Sequence, residues 1–281
     1  MMKVTCVVDN AVRYGTRLWG EHGLAFLIET DAGRVLFDTG QSGAVLLHNM
    51  EALKVRPETV DALAISHAHH DHSGGLCALL EYTRPGLPLY ANADLFRERF
   101  SRGRGEPESI GLPLAREVLA AKVALCLDAV PQEIQPGIWT TGQIAPRPEL
   151  EGRSAHHLVQ GEEGWAPDPY QDDMALVIEV ASGLLLLCGC SHAGLLNTLY
   201  HVQRTFERPV VAIAGGAHLA SADADYQQHV GEVLAEMESV QRISLNHCSG
   251  EAAFHSLLLK LGPSIVRACP AGTQLDLEAL S

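Results

Sequence analysis

Over the first forty residues the apolar positions fall in short runs broken by polar turns, the pattern of strands rather than helices. Residues 3–9, 24–30 and 34–40 are predicted strands, the last two joined through Asp31-Ala32-Gly33 as a hairpin. Residues 44–53 have helical character, and 60–66 and 87–91 return to strands. Ser73-Gly74-Gly75 is expected to open a helix that runs through Glu81. Beyond residue 174 the rhythm becomes regular: strands 175–180 and 184–188, helix 195–205, strand 210–214, helix 226–237, strand 242–245, helix 252–261. Strands alternating with helices predict a sheet covered by helices. Both halves share that order, so one α/β domain over 1–281 is expected, two stacked sheets with helices outside. Two polar, Gly/Pro-rich stretches near 97–117 and 146–173 are expected as insertions or lids rather than linkers.

At 47% hydrophobic and 19% charged, the 281-residue chain can bury a core, which excludes disorder and a coiled coil. Its formal charge of −14 opposes phosphate neutralisation, so no nucleic-acid partner is expected. The longest apolar stretches, such as 183–190, are about half of what a membrane span needs. The Met1–Cys6 segment carries one charge and enters a strand, unlike a signal peptide. A cytoplasmic protein without membrane contact is the expectation. The seven Cys show no CxxC pair and no disulfide framework, consistent with reduced thiols. Oligomeric state is not set by any of these features.

The 14 His change the picture, because they outnumber the Phe and Trp together. Their densest run is Ser66-His67-Ala68-His69-His70-Asp71-His72-Ser73-Gly74-Gly75. It follows an apolar strand directly, placing it at a carboxyl strand end, where α/β proteins build their sites. In extended geometry His67, His69 and Asp71 point the same way, and His72 swings in as the backbone turns into the helix. Nitrogen and oxygen donors this close suit Zn²⁺, with Fe²⁺ or Mn²⁺ as alternatives. One strand end cannot fill two coordination shells, so other segments must contribute.

The H-x-H-x-D-H run resembles the central motif of the metallo-β-lactamase superfamily. The likeness is greatest to a branch that includes the archaeal dihydropterin–ribofuranosylaminobenzene phosphate synthase and bacterial hydrolase-like relatives. Glu21-His22-Gly23-Leu24, Phe37-Asp38-Thr39-Gly40, Gly189-Cys190-Ser191-His192-Ala193-Gly194, Gly215-Gly216-Ala217-His218-Leu219 and Asn246-His247-Cys248-Ser249-Gly250 support it. The resemblance implies an αββα four-layer sandwich with one or two Zn ions at one edge, between the sheets. It implies His67 and His69 as ligands of a first metal, and Asp71, His72 and His247 as ligands of a second. Relatives carry a bridging Asp where this chain has Cys190, and their earlier His falls near Asp172-Asp173. His192 is therefore the expected remaining ligand, with Cys190 as second choice.

Asp71 and His218 are the candidate catalytic residues, and Asp38 either orients a ligand His or caps a turn. His22 lines the site or is exposed. Ser191 and His192 point to opposite faces and make no nucleophile–base pair. His156-His157 are expected at the surface. Arg97, Arg99, Arg102 and Arg104 form either a solvated loop or a phosphate-binding lid. The functional expectation is a metal-dependent hydrolase of a small ester or phosphoester, in which metals lower the pKa of water toward ~7. A transferase of the synthase type and a non-catalytic metal or ligand sensor are the alternatives. The partner expected is a small molecule, phosphorylated ones included.

Overall fold

The computed structural model describes residues 2–103 and 105–277. Period-two alternation explains its layers. Ala25, Leu27, Leu36 and Leu63 pack outward against the helix Gly43–Ala52 and its neighbours. Phe26, Ile28, Val35, Phe37, Ala62 and Ala64 face the other way, into a central layer. On the second sheet Leu176, Ile178, Leu185 and Leu187 complete that central layer. Val177, Leu184, Leu186 and Cys188 turn outward beneath the helices Leu195–Phe206, Ala224–Glu236 and Glu251–Leu261. Helix on sheet, sheet on sheet and sheet on helix make the expected αββα sandwich.

The first sheet holds six strands, in the order Lys3–Val8, Ala25–Thr30, Gly33–Phe37, Ala62–Ala64, Leu87–Ala91 and Val123–Leu127. The second holds seven, in the order Val266–Ala268, Arg242–Leu245, Val210–Gly215, Gly183–Cys188, Leu176–Val180, Ile138–Thr140 and Glu133–Gln135. Gly183–Cys188, Val210–Gly215 and Arg242–Leu245 run parallel, so their carboxyl ends lie side by side at one edge. That edge carries the chemistry.

Three expectations are corrected. The strand before the histidine run stops at Ala64, and His70–Ser73 is already helical, so Asp71 sits on a helical turn rather than in extended chain. The helix foreseen from Ser73 through Glu81 is only the short piece Leu76–Leu79, with a separate turn of helix, His70–Ser73, before it. The two polar insertions, separate stretches in the sequence, are one structure. They pair with each other in a four-stranded sheet, Gly164–Pro167, His157–Gly161, Arg99–Ser101 and Glu108–Ser109, with Val159 opposite Arg99.

Candidate metal centre

Two donor sets meet at the strand-end edge. His67, His69 and His192 form the first, all buried, and Asp71, His72, Cys190 and His247 the second. In the second set His72 Nε2 lies 3.1 Å from Cys190 Sγ and 3.1 Å from His247 Nε2. Asp71 Oδ2 lies 3.3 Å from His247 Nε2 and 3.6 Å from His72 Nε2. In the first set His67 Nε2 is 3.1 Å from His69 Nδ1. His192 and Cys190, alternatives in the sequence, therefore serve different sets.

The rings around these sets are oriented from behind. His192 Nδ1 donates to the Gly152 carbonyl at 2.7 Å, so its Nε2 carries the lone pair. His72 Nδ1 donates to Asp38 Oδ2 at 2.7 Å, and His247 Nδ1 to Asn10 Oδ1 at 3.0 Å. Ser66 Oγ donates to Asp38 Oδ2 at 2.8 Å and accepts from His67 Nδ1 at 2.8 Å. His67 Nε2 and His69 Nδ1 thus face each other, and the buried Nε2 of His192 beside them lacks a hydrogen-bond partner, an arrangement that a cation satisfies. Burial holds His67, His69 and His192 well below the ordinary imidazole pKa, keeping them neutral and able to ligate. Burial also opposes charge on His72, but Asp38 and Asp71 outweigh it and push the ring up to about 9. Burial alone would raise Asp71, and the His72 and His247 rings reverse this, holding it well below the carboxylate range.

Asp38 is the hub. Besides His72 and the Ser66 hydroxyl it accepts the Ser66 N–H at 2.7 Å, so one buried carboxylate fixes the loop that carries His67. The strand ends abut closely there, because a Cβ on Gly189 would collide with the Ser66 side chain.

Asp172 and Asp173 do a related job from the second insertion. Asp172 Oδ2 accepts the Ala68 N–H at 2.8 Å, between His67 and His69, and Asp173 Oδ2 accepts the Ala193 N–H at 2.7 Å, beside His192. Burial pushes Asp172 up to about 7 and Asp173 to about 6, against the pull of Arg99 on the former. Arg99, fully buried, pairs with Asp172 at 2.7 Å, Asp168 at 3.2 Å and Asp94 at 3.1 Å. Removing its charge leaves carboxylates buried and unpaired, so Arg99→Leu is expected to lower stability by about 3–5 kcal/mol, read as a lower denaturation midpoint.

The arginine cluster is thereby corrected. Arg99 is consumed by carboxylates, Arg97 pairs with Asp94 at 2.8 Å, and Arg102 lies 5.6 Å from the Trp165 ring centroid. Arg104 lies outside the described residues. His156 is exposed as expected, but His157 is half-buried, its ring 4.9 Å from that of His69 and its Nδ1 2.9 Å from the Tyr170 hydroxyl. Tyr170 stacks on His192 at 4.3 Å. His22 both lines and is exposed, with Nε2 3.3 Å from Asp71 Oδ2. Ser191 Oγ donates to the Gly216 carbonyl, as its opposite orientation requires. His218 follows the strand Val210–Gly215, with its ring 4.2 Å from that of His192. It lines a cleft of about 410 Å³ together with Glu149, Gly152, Arg153, Ser221 and Tyr226.

Fold and donor sets together define an αββα sandwich protein able to bind metal ions at its inter-sheet edge. The model of the metallo-β-lactamase superfamily matches residues 18–215, and the chain belongs to that superfamily, whose members typically bind Zn. It is similar, at 29% identity over 263 residues, to the 7,8-dihydropterin-6-methyl-4-(β-D-ribofuranosyl)-aminobenzene-5'-phosphate synthase of Methanocaldococcus jannaschii. That match covers 89% of this chain and 88% of the relative. Among solved structures, Tm1679, a metal-dependent hydrolase of the β-lactamase superfamily, superposes with a TM-score of 0.82 at 25% identity, covering 98% of this chain and 99% of that one. A diphosphatase of the PhnP family shares the fold, with a TM-score of 0.57 at 14% identity and 98% of each chain covered. Among the described residues no helix is long and apolar enough to cross a membrane.

Proposed function

We propose that the chain is a metal-dependent hydrolase of a small ester or phosphoester, with His67, His69 and His192 holding one cation and Asp71, His72 and His247 a second. The observation that carries this reading is the convergence of oriented, partly orphaned donor atoms from both sets at one edge. Zn²⁺ fits best, because imidazoles dominate both sets, and Fe²⁺ and Mn²⁺ accept the same donors. Bound cations would supply Lewis acidity and a water whose pKa falls to about 7.

The chain's own residues do the rest. Asp38, Ser66, Gly152 and Asn10 fix the ring orientations, so no reorganisation is required as charge develops. The cleft beside His192 admits a small molecule, and His218, which lines it, would hydrogen-bond the substrate's departing group. Asp71, beside His72 and His247, remains an anion across the neutral range and balances the charge of the second set. His218→Gln is expected to lower turnover about 10²–10³-fold with cation binding by the first set retained, as removing one preorganised donor does elsewhere. Unchanged kcat and KM across aryl phosphodiesters, esters and thioesters would remove His218 from the reaction.

A transferase reading is favoured by the near full-length likeness to the synthase. Cys190, in place of the hard carboxylate expected between the sets, points the same way, since a soft thiol is poorly suited to holding water between two ions. Steady-state assays with pterin and phosphosugar substrate pairs separate the readings. Condensation without hydrolysis supports the transferase, and hydrolysis alone supports the proposal.

A further inference from the structure

Three parallel neighbours, Gly183–Cys188, Val210–Gly215 and Arg242–Leu245, end in register, with Cys188 opposite Gly215 and Gly215 opposite Leu245. Each then carries a soft or borderline donor two or three residues past its end: Cys190, His218 and Cys248. The topology thus brings together three side chains that lie far apart in sequence. Their donor atoms all lie within 4.8 Å of one another. Cys190 is buried, Cys248 and His218 are half-buried, and His218 lines the cleft. Gly216 makes room for the grouping, because a Cβ there would stand 2.7 Å from Cys248 Sγ.

We propose that Cys190, Cys248 and His218 form a third cation site, selective for a thiophilic ion such as Zn²⁺, Cd²⁺ or Cu⁺. Two sulfurs and one imidazole are a soft donor set, which such ions prefer over the nitrogen-rich first set. Spacing within 4.8 Å accommodates tetrahedral coordination with Zn–S bonds near ~2.3 Å and an open fourth position. Cys190 also faces His72 in the second set, so its sulfur stands between the two groupings. A cation on one ring nitrogen of His218 fixes the proton on the other. This site goes beyond the hydrolase reading and touches it only through Cys190 and His218.

The test uses the full chain stripped by chelator and titrated with Cd²⁺, following the ultraviolet thiolate-to-cadmium band and iodoacetamide labelling of each cysteine by peptide mass spectrometry. Exposed Cys77 serves as the internal reference. With Cd²⁺ at roughly 100 times its Kd, alkylation of Cys248 is expected to slow about 100-fold while that of Cys77 is unchanged. The same protection is expected in His67→Ala with His69→Ala, which removes the first set, and in Asp71→Asn, which weakens the second. Its persistence in both separates this site from the hydrolytic centre. Equal labelling of Cys248 with and without Cd²⁺ overturns the proposal, as does loss of protection in Asp71→Asn. A Cys190–Cys248 disulfide formed in place of the band also overturns it.

Discussion

Replacing His67 and His69 together by alanine is expected to abolish cation binding by the first set and with it all turnover, while the protein stays folded. Both rings, though buried, lie past the end of the strand Ala62–Ala64 at the inter-sheet edge, so their loss removes ligands rather than the apolar layers. The cost in activity should exceed the ~10–100-fold typical of losing only an outer partner of a metal ligand. Metal content per chain, turnover and the far-ultraviolet circular dichroism of the variant check this together. Unfolding of the variant would mean that the metal is a structural staple, and the enzyme reading would fall with it.

Asp38→Ala carries the second large effect, and it acts on stability as well as on the site. The carboxylate accepts from the Ser66 N–H, the Ser66 hydroxyl and His72 Nδ1, all buried. Alanine leaves these donors without an acceptor, at a cost of about 1–3 kcal/mol for a neutral group and more where His72 is charged. It also frees the His67 and His72 rings, so cation affinity should fall about 10–100-fold. Asp38 has a φ of 60°, which Asn tolerates better than Ala, so Asp38→Asn should recover part of the stability and less of the affinity. Chemical denaturation with a metal-binding titration on both variants tests the split. Equal affinity in the wild type and Asp38→Ala would show that the rings need no support from behind.

The contrast between core and insertions explains what the sequence makes legible. Residues 24–30 announce a strand because Phe26 and Leu27 must face opposite layers, and that requirement is local. His67, His69, Asp71 and His72 are equally visible, since four donors crowded into six positions have few other uses. The pairing of Arg99–Ser101 with His157–Gly161 is different. It joins short polar segments far apart in the chain, and neither has an apolar pattern that specifies a partner. Arg99 accordingly resembles a surface cation in the sequence, although three carboxylates surround it in the fold. His157 escapes notice for the same reason. The assignment of Cys190 and His192 depends on where Ser191, with φ of 61°, turns the chain. A spacing of two residues cannot show that the turn sends one side chain to each donor set.

The most direct test of the central claim is to strip the protein with chelator, return Zn²⁺ in steps, and measure bound metal and hydrolysis of an aryl phosphodiester and a thioester in the same samples. The two-set hydrolase predicts no turnover in the stripped protein, and turnover that rises with added Zn²⁺ until both histidine sets are filled. Turnover indifferent to the chelator, or a protein that takes up no cation at His67, His69 and His192, would contradict it.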